Sequence, residues 1–143
     1  MRAPYHVLFL CTGNSARSIL AESILRDKAG GRFVAHSAGS RPAGRVHPRV
    51  LSWLRRRGLP IEGLRSKNWD EFARPDAPPL DLVITVCDNA HEELNRRHEG
   101  THAGRLHWSV PDPVPVGTRK AFDTAYDDLA MRVSHVAPRL AAS

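Results

Sequence analysis

The sequence predicts one doubly wound α/β domain over residues 1–143, with a four-stranded, mainly parallel sheet flanked by helices. Two observations carry this expectation. Short apolar runs alternate with segments of helical periodicity, a β-α-β-α order that implies parallel strands joined by crossover helices. Within the 143 residues there is no repeat, no low-complexity tract and no interdomain linker.

The elements follow in order. Tyr5–Leu10 is an apolar run, read as a buried strand. Ile19–Ala29 places Leu20, Ile24, Ala21 and Leu25 at helical spacing, so it reads as an amphipathic helix. Arg32–Ser37 is a second strand. Pro48 suits the first turn of a helix that runs to Arg57 and is capped by Gly58. Arg55, Arg56 and Arg57 then lie where cations suit the helix dipole. Leu80–Val86 is the most apolar strand, and a short helix follows from about Asn89 to Arg97. His107 and Trp108 lie near a last short strand. A final helix starts near Arg119, with Phe122, Tyr126, Leu129, Val133, Val136 and Leu140 on its buried stripe. Pro138 is expected to end or limit that helix.

Composition narrows the function classes. Hydrophobic residues make up 41% of the chain and charged residues 25%, as in ordinary globular domains. No apolar run reaches the roughly 18 residues a membrane span needs, and Val7–Leu10 is too short for a signal-peptide core. A cytoplasmic protein is expected, with no membrane partner. The two cysteines are too few for a disulfide scaffold. The net charge of +6 favours anionic partners. With no basic tail and no basic-aromatic motif, a small anion fits better than nucleic acid. No metal site is expected. His98 and His102 have helical ligand spacing, but Gly100 between them points to a loop. Trp53, Trp69 and Trp108 read as core or pocket walls.

In a doubly wound sheet, ligands bind beyond the carboxyl ends of the strands. The loops that matter are therefore Cys11–Ser18, Cys87–Asn89 and Val110–Pro113. In the first, Thr12, Gly13, Asn14, Ser15, Ala16, Arg17 and Ser18 lie between a strand and a helix. Successive N–H groups there, backed by a helix N-terminus, make an oxyanion cradle. A cysteine at its edge is expected to have its thiolate stabilised and to act as nucleophile near neutral pH. Arg17, six positions on, returns to the anion with a planar fork that matches two oxygens. Ser18 can hydrogen-bond the Cys11 sulfur, and Asn14 can brace the loop. The plainer alternative is a buried structural cysteine before a helix cap.

The segment from Val7 to Ser18, VLFLCTGNSARS, followed by Ala21-Glu22, resembles the low-molecular-weight protein tyrosine phosphatase superfamily. Within it, the closest resemblance is to the thioredoxin-coupled arsenate reductases. It continues through Ser37–Ser40, Arg65–Phe72, Val83–Ala90 and His107–Pro113, and so covers nearly the whole chain.

The resemblance implies the following roles. Cys11 attacks phosphorus or arsenic in line while Arg17 and the loop amides hold the other oxygens. Asp112, in Asp112-Pro113, matches the general acid that protonates the leaving oxygen. On its own, Asp-Pro is also a common turn pair. Cys87 matches the reductases' second cysteine, which resolves the arsenic adduct and leaves a disulfide. A buried thiol at a strand end is the alternative. Reductases of this type usually carry a third cysteine shortly after the second, but His91–Arg97 has none.

The expected activity is therefore reduction of arsenate to arsenite. No cofactor is bound. A thioredoxin-like protein or a low-molecular-weight thiol supplies electrons, and the chain is expected to be a monomer. The alternative is phosphomonoester hydrolysis by the same Cys11. Some members bind potassium behind the loop. Asn14, Glu22 and Ser37 match three of the positions, and Lys67 falls near the fourth, where its ammonium would replace the ion; a surface lysine is the plainer reading.

Overall fold

The computed structural model describes residues 4–97 and 103–141. His98 and His102, considered above as metal ligands, lie outside them. The chain forms β1 (Tyr5–Cys11), α1 (Arg17–Ala29), β2 (Phe33–Gly39), α2 (Pro48–Arg56), β3 (Leu82–Thr85), α3 (Asp88–Arg97), β4 (Gly104–His107), α4 (Pro113–Val116) and α5 (Arg119–Ala141). The four strands are all parallel, in the order β2-β1-β3-β4.

That order creates the crevice that holds the site. After β1 the chain builds β2 on one side, then crosses back to add β3 on the other. The loops leaving β1 and β3 diverge there, as expected at a switch in strand order. Leu10 pairs with Thr85, and the Val86 N–H donates to the Leu10 carbonyl at 2.8 Å. Cys11 and Cys87 thus leave neighbouring strands at the same level.

Helix α1 starts two residues earlier than its periodicity suggests, at Arg17. It is also less amphipathic than expected, because the polar Ser18, Glu22 and Ser23 are buried along with Leu20, Ile24 and Leu25. The helix packs against both β2 and α5, so little of its first half faces water. Each fully buried aliphatic side chain here stabilises the fold by about 1.5–3 kcal/mol.

Pro48 opens α2 as expected, and the His47 ring accepts the Arg49 N–H at 3.1 Å as N-cap. Gly58 follows the helix with φ +73, the left-handed geometry that stops it. Helix α5 continues past Pro138 to Ala141. Proline removes only the N–H that would reach the Ser134 carbonyl, and the flanking residues keep helical geometry. Phe122, Leu129 and Val133 form its buried stripe, with Tyr126 and Val136 half-buried. The Leu140 side chain is outside the described ones. Helix α4 was not foreseen. Its N-cap is Asp112, whose side chain accepts the Val114 N–H at 3.1 Å.

Candidate active site

The Cys11–Arg17 loop is held from outside by its carbonyls. The Thr12, Gly13 and Ser15 carbonyls accept N–H bonds from Arg41, Ala43 and His47 at 2.9, 2.9 and 3.0 Å. Ser66 Oγ adds a second bond to the Gly13 carbonyl at 3.1 Å. A strap over residues 41–47 therefore engages the outer acceptors and leaves N–H groups for the inner face. Two of those already converge on the nucleophile, since Asn14 N–H donates to Cys11 Sγ at 3.1 Å and the Ser18 N–H reaches the same sulfur.

The back wall is a buried polar cluster. Asn14 adopts φ +46, a left-handed geometry that asparagine tolerates better than most residues. Its Nδ2 donates to Ser18 Oγ at 2.7 Å and to Ser37 Oγ at 3.0 Å, while its Oδ1 accepts the Lys67 N–H at 2.9 Å. Because Ser18 Oγ accepts from Asn14, its hydrogen is available to Cys11 Sγ, 2.9 Å away. Gly39 closes the wall. A Cβ there would sit 2.4 Å from the Thr12 carbonyl oxygen.

Burial pushes the Cys11 thiol up, and nearby Cys87 adds to the rise. The Ser18 hydroxyl and the N–H groups of Ser18 and Asn14 pull the other way. Burial is the larger influence on the thiol, and the three donors are the groups that stabilise the thiolate once it forms. The hydrogen bonds favour a thiolate, while the burial of Cys11, 3% exposed as a residue, opposes it.

Lys67 is not a surface lysine. It is half-buried, and its Nζ donates to the Ser37 and Arg65 carbonyls at 2.8 and 2.9 Å. Burial lowers its pKa, with the Glu22 carboxylate opposing. Glu22 is pushed up by its own burial and relieved first by the Ser37 hydroxyl, then by Lys67 and Arg26. A potassium ion does not fit these residues. An ammonium already serves the Ser37 carbonyl, and among the described residues no buried side-chain nitrogen or oxygen lacks a partner.

Arg17 opens α1 and reaches the loop after β4. Its Nη1 donates to the Val110 carbonyl at 3.0 Å, and its Nη2 lies 3.8 Å from Asp112 Oδ2. Two of its five N–H donors are thereby directed to this loop, and the rest of the fork is left for an anion. Asp112 combines both readings of Asp-Pro: it caps α4 and it faces the clamp.

Cys87 precedes α3 and is buried, 4% exposed. Its sulfur accepts the Ala90 N–H at 3.4 Å, as an N-cap does. Thr12 Oγ1 lies 3.4 Å from the same sulfur and accepts Asn89 Nδ2 at 3.0 Å, so the threonine hydrogen is free to point at Cys87. Asn89 continues to Glu93 at 2.8 Å, and Glu93 also accepts Ser40 Oγ at 2.9 Å. Asn89 lies in a loop the sequence singles out, but its link to Thr12 and that of Glu93 to Ser40 have no sequence signal, because those partners lie 77 and 53 residues apart. His91 and His107 stack at 4.2 Å, and His107 bridges Thr85 and Asp88 at 2.7 and 2.9 Å. Among the described residues, no group of three His, Cys, Asp or Glu side chains is arranged to hold a metal ion. Trp53 and Trp108 are buried core residues, and Trp69 is half-buried against the core.

The family model described as low molecular weight phosphotyrosine protein phosphatase matches residues 6–143. The chain belongs to this family. An arsenate reductase of Bacillus licheniformis is 31% identical over 137 residues, covering 92% of this chain and 94% of that one. A solved thioredoxin-dependent arsenate reductase of Corynebacterium glutamicum is 27% identical with a TM-score of 0.69, covering 92% of this chain and 59% of that one. A low-molecular-weight protein tyrosine phosphatase of T. tengcongensis shares the fold, with a TM-score of 0.78, 23% identity and coverage of 94% and 99%. The fold expected from the sequence is that of the low-molecular-weight phosphatase family.

Proposed function

We propose that this protein reduces arsenate to arsenite. The observation that carries the reading is the second thiol: Cys87 sits at the N-terminus of α3 and is joined through the Thr12 hydroxyl to the loop that holds Cys11. A second thiol at the same sheet edge as the nucleophile supplies what reduction needs and hydrolysis does not use.

Cys11 thiolate attacks arsenic, an S–As bond forms and one As–O bond breaks. Asp112 supplies the proton that lets the oxygen leave as water. Arg17 and the loop amides hold the remaining oxygens, where charge is concentrated. Cys87 thiolate then attacks Cys11 sulfur. The S–S bond forms, the S–As electron pair passes to arsenic, and arsenic(V) leaves as arsenic(III). The Ala90 N–H and the α3 dipole favour the attacking thiolate. The chain has only two cysteines, both consumed in that disulfide. Its electrons must come from an external thiol, either a thioredoxin-like protein or a low-molecular-weight thiol. Among the described residues no helix is long and apolar enough to cross a membrane.

Hydrolysis of phosphomonoesters is the second reading, favoured by family membership and by the shared first step. One experiment separates them: arsenite formation with a thioredoxin system or a low-molecular-weight thiol, in parallel with aryl phosphate hydrolysis, on wild type and Cys87→Ser. The variant is expected to lose thioredoxin-driven arsenite formation and keep phosphate hydrolysis. Undiminished arsenite from Cys87→Ser would remove the resolving role. Hydrolysis by wild type with no arsenite from any reductant would establish the phosphatase.

A further inference from the structure

Away from the oxyanion loop, a second concentration of positive charge lies between α2 and the start of α5. Two adjoining cavities of about 240 and 500 Å³ share Trp53, Arg56 and Arg119. Arg49 and Arg56 are two turns apart on one face of α2, and Arg119 is the first residue of α5. Arg49 lies against Gly117, where a Cβ would come within 3.2 Å of its Nη1. Arg57 adds a fourth guanidinium, stacked over the Trp53 and Tyr126 rings at 4.6 and 4.9 Å.

The groove contains one acid, Asp123, and that acid accepts the Trp53 indole N–H at 2.8 Å. Four guanidiniums meet one carboxylate along the groove itself, and Asp27 and Asp127 lie near the Tyr126 ring that Arg57 covers. Arg49, Arg56 and Arg119 are exposed and have no ion-pair partner among the described residues. The C-terminal end of the α2 dipole offsets part of the repulsion at Arg56 and Arg57, and a bound anion would relieve the rest. The N-terminus of the 23-residue α5 adds its positive dipole end to the same groove.

We propose that this groove binds a ligand carrying two or more consecutive phosphoryl groups. A single tetrahedral anion suits the catalytic loop, which closes around one centre. The groove instead spreads its forks along α2 and across to α5. A phosphoryl chain presents several anionic oxygens in a row, and each fork can take two of them. The concave walls suit a small molecule, since the larger cavity alone has the volume of an ordinary ligand pocket. The site is independent of the arsenate chemistry and uses none of its residues.

The test is titration of the full-length ¹⁵N-labelled protein with tripolyphosphate, ADP and inorganic phosphate at about 0.15 M salt. The Trp53 indole and the amides of 49–57 and 118–123 report the groove, and Gly13 reports the catalytic loop. Tripolyphosphate or ADP is expected to shift the groove signals at about tenfold lower concentration than phosphate does. Equal affinity for both assigns recognition to the phosphoryl chain, and tighter ADP binding assigns a nucleotide. Arg56→Glu with Arg119→Glu is expected to weaken this by about tenfold or more. The Gly13 shift caused by phosphate should be retained, which shows that the variant is folded. Shifts confined to residues 11–18, equal affinity for phosphate, or an unchanged titration in the double variant would overturn the proposal.

Discussion

Cys11 and Cys87 end neighbouring strands, yet the protein holds them differently. Cys11 sulfur has three donors, from Ser18 and Asn14, both buried and braced by contacts that reach as far along the chain as half-buried Lys67. Cys87 sulfur has two contacts, both at 3.4 Å, and the network behind Thr12 runs out through exposed Asn89. The nucleophile must keep its place while an anion arrives and departs. A resolving thiol must leave its place to reach the adduct, so tight anchoring would hinder it. The difference teaches that the first half of the cycle is preorganised and the second half depends on motion and an outside reductant.

The largest test of that contrast is Asp112→Asn. Asparagine caps a helix as well as aspartate does, so α4 and the melting temperature should be unaffected. Proton delivery is lost, and adduct formation should fall by about 10²–10³. The loss should shrink for aryl phosphates whose leaving group needs no proton. An equal loss for every leaving group would reduce Asp112 to a positioning residue for Arg17, 3.8 Å away.

Lys67→Met attacks the back wall. It removes the donor to the Ser37 and Arg65 carbonyls and takes a cation from beside the Glu22 carboxylate. A cost of about 2–4 kcal/mol is expected in denaturant unfolding. Arsenate reduction and phosphate hydrolysis should weaken together, because both need the loop. Wild type should respond no more to potassium chloride than to sodium chloride.

Ser18→Ala tests the electrostatic balance at Cys11. The Ser18 hydroxyl lowers a thiol that burial raises. Without it the pKa rises further, the thiolate fraction at neutral pH falls, and the rising limb of the rate–pH profile moves to higher pH. One lost charge-assisted hydrogen bond corresponds to about tenfold at pH 7. The rate should recover as pH increases, which a folding defect would not reproduce.

These variants also mark how far the sequence could be read. β1, β3 and the ends of α2 were legible because apolar runs, Pro48 and Gly58 act locally. The Cys11–Arg17 loop was legible because its donors and glycine lie within one turn of chain. The wall behind it was only partly so. Asn14, Glu22 and Ser37 could be named, but Lys67 gains its meaning from carbonyls up to 30 residues away. The 41–47 strap and Gly39 have no periodic signal at all, since their task is to fit against Thr12, Gly13 and Ser15. Helix α4 was missed because Pro-Val-Pro-Val has no helical pattern, and Asp112 starts it by capping alone. At Cys11 the local hydrogen bonds were visible in the sequence and the depth of burial was not.

Thr12→Val has the smallest expected effect and separates the two cysteines most directly. Valine keeps the shape of threonine and leaves the Thr12 backbone free to accept the Arg41 N–H. It removes the one hydroxyl that joins Cys87 to the oxyanion loop. The first attack by Cys11 should be unchanged, so aryl phosphate hydrolysis should stay within about twofold, as expected where no transition-state contact is lost. Formation of the Cys11–Cys87 disulfide under single turnover should slow by about three- to tenfold, the size of one neutral hydrogen bond. Equal slowing of both steps would mean that Thr12 shapes the cradle itself. No slowing of either would mean that Cys87 finds Cys11 through the α3 N-terminus alone, with the Ala90 N–H as its sufficient guide.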